Sequence, residues 1–181
     1  MQHLPFILTM TVALLFAPEL SLEHAQLVDL SHTNLVERNF QVVKTIKEEQ
    51  CLAEAIYYEA GNQGEIGKEA VAIVILNRVG SLHRPKTICG VIAQAQVKDE
   101  RTICQFSFFC EPKRKPYGAL WKQSEQIAHR VLTSYWHRHT VQQFGEAVYF
   151  HARYVKPKWA SHKVRLGVIG DHIFYKEPTI P

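Results

Sequence analysis

The sequence predicts a single α+β domain from its length, its composition and the order of its patterns. A chain of 181 residues suits one domain, and 46% apolar with 21% charged residues is ordinary for a protein that buries a core. Apolar residues recur at helical spacing in the first part of the chain, and short β-like segments follow. Helices in one run and strands in a later one are typical of α+β proteins.

The N-terminal residues predict export. A largely apolar run extends from Leu4 to Ala17. It is shorter than the roughly 20 residues of a membrane-spanning helix and fits the apolar region of a secretory signal peptide. We therefore expect a signal peptide over residues 1–25, an arm or linker over 26–44 and the functional domain over 45–181. A retained N-terminal anchor is the alternative, and the expected location is the periplasm or cell envelope.

The first predicted helix carries an acidic residue in an unusual place. The segment "TIKEEQCLAEAIYYEAG" begins with a capping box, Thr45 followed by Glu48, and Gly61 supplies the stop. Glu59 falls in the last turn and shares the apolar side of the helix with Ile56. The carboxyl is therefore expected to point toward the core or the floor of a cleft.

The remaining elements follow from periodicity and turn residues. A very apolar second helix, Glu65–Val79, is expected at the centre of the core. A loop-rich stretch over residues 80–118 separates it from a third helix, Ala119–Arg138. Gly170 and Asp171 mark a hairpin turn between the last β-like segments.

The cysteines predict disulfides. Cys51, Cys89, Cys104 and Cys110 all follow the signal-like segment, and an even number in an exported chain favours two bonds over free thiols. A zinc site is disfavoured because no Cys-x-x-Cys pair occurs. Three pairings exist for four cysteines. The short interval from Cys104 to Cys110 favours a local bond, which leaves Cys51 with Cys89.

Glu59 has the features of a general acid. Burial disfavours its anion and raises its pKa, and the negative end of the helix dipole acts in the same direction. A carboxyl that stays protonated near neutral pH can protonate a glycosidic oxygen. The alternative is a structural glutamate, paired with an arginine or capped by loop amides.

Other chemistries have less support in the sequence. The formal charge of +4 is dispersed, so nucleic-acid binding is not predicted. The ten histidines include no HExxH motif and no phosphate-binding glycine loop occurs, so no metal or other cofactor is predicted. Aromatic and polar residues interleave in "CQFSFFC" and "YFHARYVKPKWA", which suits the walls of a sugar cleft. A disulfide-closed loop and a plain amphipathic strand would have the same compositions.

Taken in order, several segments resemble the catalytic domain of SleB/CwlJ-type cell-wall hydrolases, the spore-cortex-lytic enzyme family. These are "AEAIYYEAGNQGEIGKEAVAIVILNRV", "TICGVI", "CQFSFFC", "YFHARYVKPKWA" and "IGDHIFYK", from about Cys51 to Lys176. The resemblance implies a lysozyme-like α+β fold with a cleft, formed by residues 45–181. It also implies a lytic transglycosylase that cuts peptidoglycan between N-acetylmuramic acid and N-acetylglucosamine and leaves a 1,6-anhydromuramoyl end. We expect a monomer whose partner is the glycan strand.

The resemblance implies site residues as well. The family's catalytic acid, the first glutamate of a Glu-Ala-Arg-Gly-Glu motif, falls on Glu59. This chain has Gln63 where the motif has its second glutamate, and we expect that amide to hydrogen-bond substrate or to orient Glu59. Four residues of the matching segments are expected to contribute to substrate binding: Gln105, Ser107, Tyr149 and His151.

The sequence places no second carboxylate against Glu59. A single-acid mechanism is therefore expected, in which the C6 hydroxyl of muramic acid is the nucleophile. Two other functions stay open: a metal-dependent amidase or peptidase acting on the stem peptide, and a non-catalytic module that binds the cell wall.

Overall fold

The computed structural model describes residues 17–98, 100–111, 115–133 and 144–179, with side chains along the first helix at residues 35, 37–39 and from 41 onward. The chain divides into two units, Met1–Lys44 and Thr45–Pro181. In the first unit the described side chains are exposed, and Gln41 donates a hydrogen bond to Glu37. The second unit holds the core, both sheets and both disulfides.

Helix α1 extends over Ala17–Ala60, so the predicted start at Thr45 is wrong. Residues 19–60 contain neither glycine nor proline, so nothing in that stretch interrupts the helix. The predicted end is confirmed, because α1 stops one residue before Gly61. A Cβ atom at position 61 would collide with the backbone oxygen of Tyr57, so this turn requires glycine.

Helix α2 (Glu65–Gly80) is the central helix, as its apolar run predicts. Every residue from Gly67 to Ile75 is buried, and the helix packs against α3 (Ile88–Ile92) and α5 (Gly118–Thr133). The third predicted helix corresponds to α5. The part of that prediction beyond Thr133 lies outside the described residues.

Two small antiparallel sheets complete the domain. One is a hairpin of β1 (Ala95–Lys98) and β2 (Arg101–Cys104), followed by the short helix α4 (Ser107–Cys110). This hairpin lies within the stretch predicted to be loop-rich and was not predicted. Nearly all of its residues are exposed, so it has no strong alternation of apolar and polar side chains to reveal it.

The other sheet has three strands in the order β3-β5-β4: β3 (Tyr149–Ala152), β4 (Val164–Ile169) and β5 (His172–Lys176). The turn between β4 and β5 lies at Gly170, as predicted, and Gly170 has a positive φ of 55°. The side chain of Phe174 is fully buried in the core shared with the helices. The α+β class is therefore confirmed.

Both predicted disulfides are present. Cys51 pairs with Cys89 and links α1 to α3, with their Cα atoms 5.3 Å apart. Cys104 pairs with Cys110 and links β2 to α4, with a Cα separation of 6.0 Å. Within the described part of the chain, no helix combines the length and the apolarity required to cross a bilayer.

Candidate active site

A cavity of about 300 Å³ lies beside the C-terminal end of α1. Glu59 lines it from that helix, and Gln105 and His151 line it from the segment after β2 and from β3. The structure therefore brings together three of the residues that the sequence predicted for substrate binding and catalysis. Among the residues that the structure describes, Glu59 is the only carboxylate in the lining.

The environment of Glu59 favours its protonated form. The pKa of the carboxyl is raised from 4.5 to about 7, chiefly by burial and to a smaller extent by the nearby charge of Glu111. Arg78 lowers this pKa, but its effect is smaller than that of burial. At neutral pH the protonated and ionised forms are thus present in comparable amounts, which suits a group that must both give and take a proton.

Arg78 lines the same cavity from the last turn of α2 and was not predicted as a site residue. The residue is only 2% exposed. Its Nε donates a hydrogen bond of 2.8 Å to the carbonyl of Val148, and its guanidinium lies 5.2 Å from the centroid of the Phe106 ring. Burial, reinforced by the charge of Arg84, lowers the pKa of Arg78 to about 10, so it remains a cation at neutral pH.

The end of α2 holds the segment that leads into β3. Next to Arg78, the amide of Asn77 donates to the carbonyls of Gly145 and Ala147, at 2.8 and 2.9 Å. These contacts fix the position from which β3 starts. They thereby set where His151 enters the cavity wall.

His151 is held in place by two contacts of 2.9 Å, from Nδ1 to the carbonyl of Ala152 and from Nε2 to the hydroxyl of Tyr175. A carbonyl only accepts, so Nδ1 donates to it. The imidazole also stacks on the Tyr175 ring, with centroids 5.3 Å apart. His151 is therefore a fixed wall of the cavity.

Polar and aromatic side chains that the sequence analysis missed complete the lining. Burial lowers the pKa of His172, which keeps its imidazole neutral, while Tyr154 is 87% exposed. The further lining side chains include Tyr58, Phe106 and Phe150. No local pattern identifies them, because they come from separate elements that only the tertiary fold brings together.

A protein-family model identifies the family of this chain. The model of the Cell Wall Hydrolase family matches residues 62–175, more than half of the chain. This chain belongs to the cell wall hydrolase family. The matched region begins just after Glu59, and it includes Arg78, Gln105 and His151.

Two solved structures have the same fold as this hydrolase. One is the catalytic domain of the germination-specific lytic transglycosylase SleB from Bacillus anthracis, with a TM-score of 0.51, 24% identity and coverage of 71% of this chain and 93% of that one. The other is the catalytic domain of the Bacillus cereus SleB protein, with a TM-score of 0.51 and 24% identity. That match covers 71% of this chain and 89% of the other. No curated protein matches the chain significantly.

Three residues expected to bind substrate in this hydrolase do not line the cavity: Gln63, Ser107 and Tyr149. The amide of Gln63 is hydrogen-bonded to Asp171 in the β4–β5 turn. Ser107 starts α4, where its carbonyl accepts from the backbone N–H of Glu111.

Tyr149 lies behind Arg78 rather than at the cavity wall. Its hydroxyl donates to Glu177 and accepts from Arg84 at 3.1 Å. The ammonium of Lys163 lies 4.6 Å and the guanidinium of Arg78 6.0 Å from the centroid of its ring. Tyr149 thus supports a residue of the lining instead of forming part of it.

In the described ranges, no group of three or more His, Cys, Asp or Glu side chains is arranged to hold a metal ion.

Proposed function

We propose that this hydrolase is an exported peptidoglycan lytic transglycosylase in which Glu59 is the single general acid and base. One observation carries the proposal: within the described residues Glu59 is the cavity's only carboxylate, and its pKa is raised to about 7. The description of the Bacillus anthracis relative as a lytic transglycosylase gives further support.

The first step uses the proton of Glu59. The protonated carboxyl donates it to the glycosidic oxygen as the bond to the muramoyl C1 breaks, and N-acetylglucosamine leaves with a new hydroxyl. The muramoyl carbon takes on oxocarbenium character during this step. General acid catalysis of this kind contributes typically 10²–10⁴-fold to the rate.

The second step returns the proton. The ionised Glu59 accepts it from the C6 hydroxyl of the muramoyl residue, and the C6 oxygen forms its bond to C1. The product is a 1,6-anhydro ring, no water is consumed, and Glu59 is protonated again. Most glycosidases need a second carboxylate as nucleophile or as base for a water molecule. An internal hydroxyl removes that need, which fits a cavity with one carboxylate.

Export is the second part of the proposal. The signal-like residues 1–25 and the disulfides Cys51–Cys89 and Cys104–Cys110 both favour a location outside the cytoplasm, because thiols are kept reduced inside it. We place the enzyme in the periplasm or cell envelope. The mass of the mature protein, purified from a host with an oxidising periplasm, tests both signal cleavage and disulfide formation.

Digestion of purified sacculi, with mass analysis of the released fragments, tests the reaction. A lytic transglycosylase releases muropeptides with anhydromuramoyl ends, which are lighter by one water than hydrolysed ends. Free stem peptides would instead identify an amidase or peptidase. Binding to sacculi without release of any fragment would identify a non-catalytic module.

A further inference from the structure

The guanidinium of Arg78 is buried with an unused hydrogen-bond donor. Nε is bonded to the Val148 carbonyl, whereas Nη1 has no hydrogen-bond partner. Buried polar atoms in native proteins almost always have a partner, so one without it points to a functional role. Arg78 lines the cavity, so a ligand bound there lies next to its guanidinium.

Glu59 does not serve as the partner of Arg78. The two side chains line one cavity, yet Arg78 Nη1 has no hydrogen-bond partner and so is not bonded to the Glu59 carboxyl. A direct ion pair would favour the carboxylate and hold the Glu59 pKa below its usual value. The pKa is instead raised, and a general acid requires that. The free donor of Arg78 is therefore available to another acceptor.

We propose that Arg78 binds an acyl oxygen carried by a sugar of the glycan strand, next to the bond that Glu59 cleaves. This rests on the proposed function, which supplies the sugar. Peptidoglycan offers such oxygens in two substituents: the acetamido carbonyl at C2 of both sugars and the lactyl carboxyl at C3 of muramic acid. Arg78 thus selects N-acylated or lactylated sugars.

The surroundings of Arg78 prepare it for this role. The Phe106 and Tyr149 rings lie within 5.2 and 6.0 Å of the guanidinium carbon, and the Val148 carbonyl fixes Nε. A donor held in this way loses little freedom when it binds an acceptor. A charge-assisted bond to an acyl oxygen is stronger than a neutral one.

The positive charge of Arg78 disfavours binding of a de-N-acetylated sugar. Removal of the acetyl group leaves an ammonium at C2, which cannot accept a hydrogen bond from Arg78 and is repelled by its cation. De-N-acetylated glycan is therefore a poor ligand for the cavity.

Calorimetric titration of the Glu59→Gln protein tests the proposal without cleavage of the ligand. The probes are β-1,4-linked N-acetylglucosamine oligomers, their de-N-acetylated counterparts, and peptide-free glycan strands that carry lactyl groups. We expect Arg78→Met, made in the Glu59→Gln protein, to bind the acylated probe about 10- to 100-fold more weakly. Arg78→Lys should retain part of the affinity. Arg101→Met is the matched control, since Arg101 is an exposed arginine of the β1–β2 hairpin that does not line the cavity.

The pattern of losses identifies the oxygen. A loss with N-acetylglucosamine oligomers assigns the acetamido carbonyl, and a loss confined to the lactylated strands assigns the lactyl carboxyl. Equal affinities of the Arg78 variants and their parent for every probe overturn the proposal. If the Arg78 variants do not fold, NMR spectra of the Glu59→Gln protein provide the test. We expect the acylated probe to shift the guanidinium signals of Arg78. Unchanged signals overturn the proposal. Because these readouts record binding, they stand apart from the product analysis that tests transglycosylation.

Discussion

Gln63 and Asp171, which lie 108 residues apart in the sequence, are joined by a pair of hydrogen bonds. The backbone N–H of Asp171 donates to Gln63 Oε1 at 2.9 Å, and Gln63 Nε2 donates to Asp171 Oδ2 at 3.1 Å. A Cβ atom at Gly170 would collide with Gln63 Oε1, so the approach requires glycine. The pair joins the turn after α1 to the β4–β5 turn, and so holds the end of the helix that carries Glu59.

Replacing Gln63 by glutamate tests this contact. In the Gln63→Glu variant, a carboxylate replaces the amide that donates a hydrogen bond to Asp171. Two carboxylates then face each other without a donor between them. We expect a loss of about 1–3 kcal/mol in the free energy of unfolding at neutral pH. The loss should shrink on acidification, when one of the two carboxyls takes up a proton and can donate again. Urea unfolding at neutral and acidic pH measures both effects.

The reciprocal swap is the control. In the double variant Gln63→Glu/Asp171→Asn an amide again faces a carboxylate, so stability at neutral pH should largely return. If the single variant is as stable as the parent at neutral pH, the pair does not contribute to the fold.

Glu59→Gln should lower the rate of release of anhydromuropeptides from sacculi by roughly 10²–10⁴-fold, because an amide cannot transfer the proton. Glu125→Gln is the matched control: it removes an exposed carboxylate of α5 that is not part of the cavity and should leave the rate unchanged. Near-parental release by a folded Glu59→Gln protein would exclude Glu59 as the acid.

The pH dependence of the rate should follow the ionisation of Glu59. Since the pKa of this carboxyl is about 7, the initial proton donor disappears as the pH rises above that value. The rate should then fall about tenfold per pH unit. Glu111→Gln removes a negative charge that raises the Glu59 pKa, and should move the descending limb to lower pH. A limb that stays in place in this variant, or a rate that is flat through pH 9, would contradict the assignment.

The raised pKa of Glu59 also lowers stability above acidic pH. Below about pH 4.5 the carboxyl is protonated in both the folded and unfolded states. Between that value and about pH 7 only the unfolded state releases the proton, so the free energy of unfolding falls as the pH rises. The full difference is about 3 kcal/mol. The Glu59→Gln variant has no ionisable group at this position. Its free energy of unfolding should exceed that of the parent at pH 8, and the difference should disappear near pH 4.

The two disulfides should differ in their effect on stability. Cys51–Cys89 closes a sequence separation of 38 residues and Cys104–Cys110 one of 6. In the loop-closure model, the longer loop contributes about 4 kcal/mol and the shorter loop about 2 kcal/mol to the free energy of unfolding. Paired Cys→Ser variants, unfolded in urea, give the two values. If loss of the shorter bond is the more destabilising, loop closure does not explain these bonds.

The sequence was informative wherever a local rule applies. Gly61 ends α1, Gly170 forms a turn, and the even set of cysteines with one short interval gives the observed pairing. Glu59 was found because an acidic residue on the apolar side of a helix violates the local pattern. The start of α1 was misplaced because a capping box at Thr45 also occurs inside a helix that nothing interrupts.

Contacts between distant segments set the limit of that prediction. Arg78 lies in the same apolar helix as its buried neighbours, and its bond to Val148 spans 70 residues. No sequence pattern near Arg78 predicts that hydrogen bond. Likewise, the sequences of the two segments that contain Ser107 and Tyr149 do not show which way each side chain faces. Tyr149 therefore supports the cavity from behind, whereas His151 lines it.

The cavity joins residues from opposite ends of the catalytic domain: Tyr58 and Glu59 come from its beginning, and His151 and His172 from near its end. A ribosome completes the first helices long before it reaches the last strand. The growing polypeptide therefore carries its acidic residue without the walls that keep it protonated. We therefore expect a chain that ends before β5 to lack catalytic activity, because the cavity is complete only when the whole domain has folded.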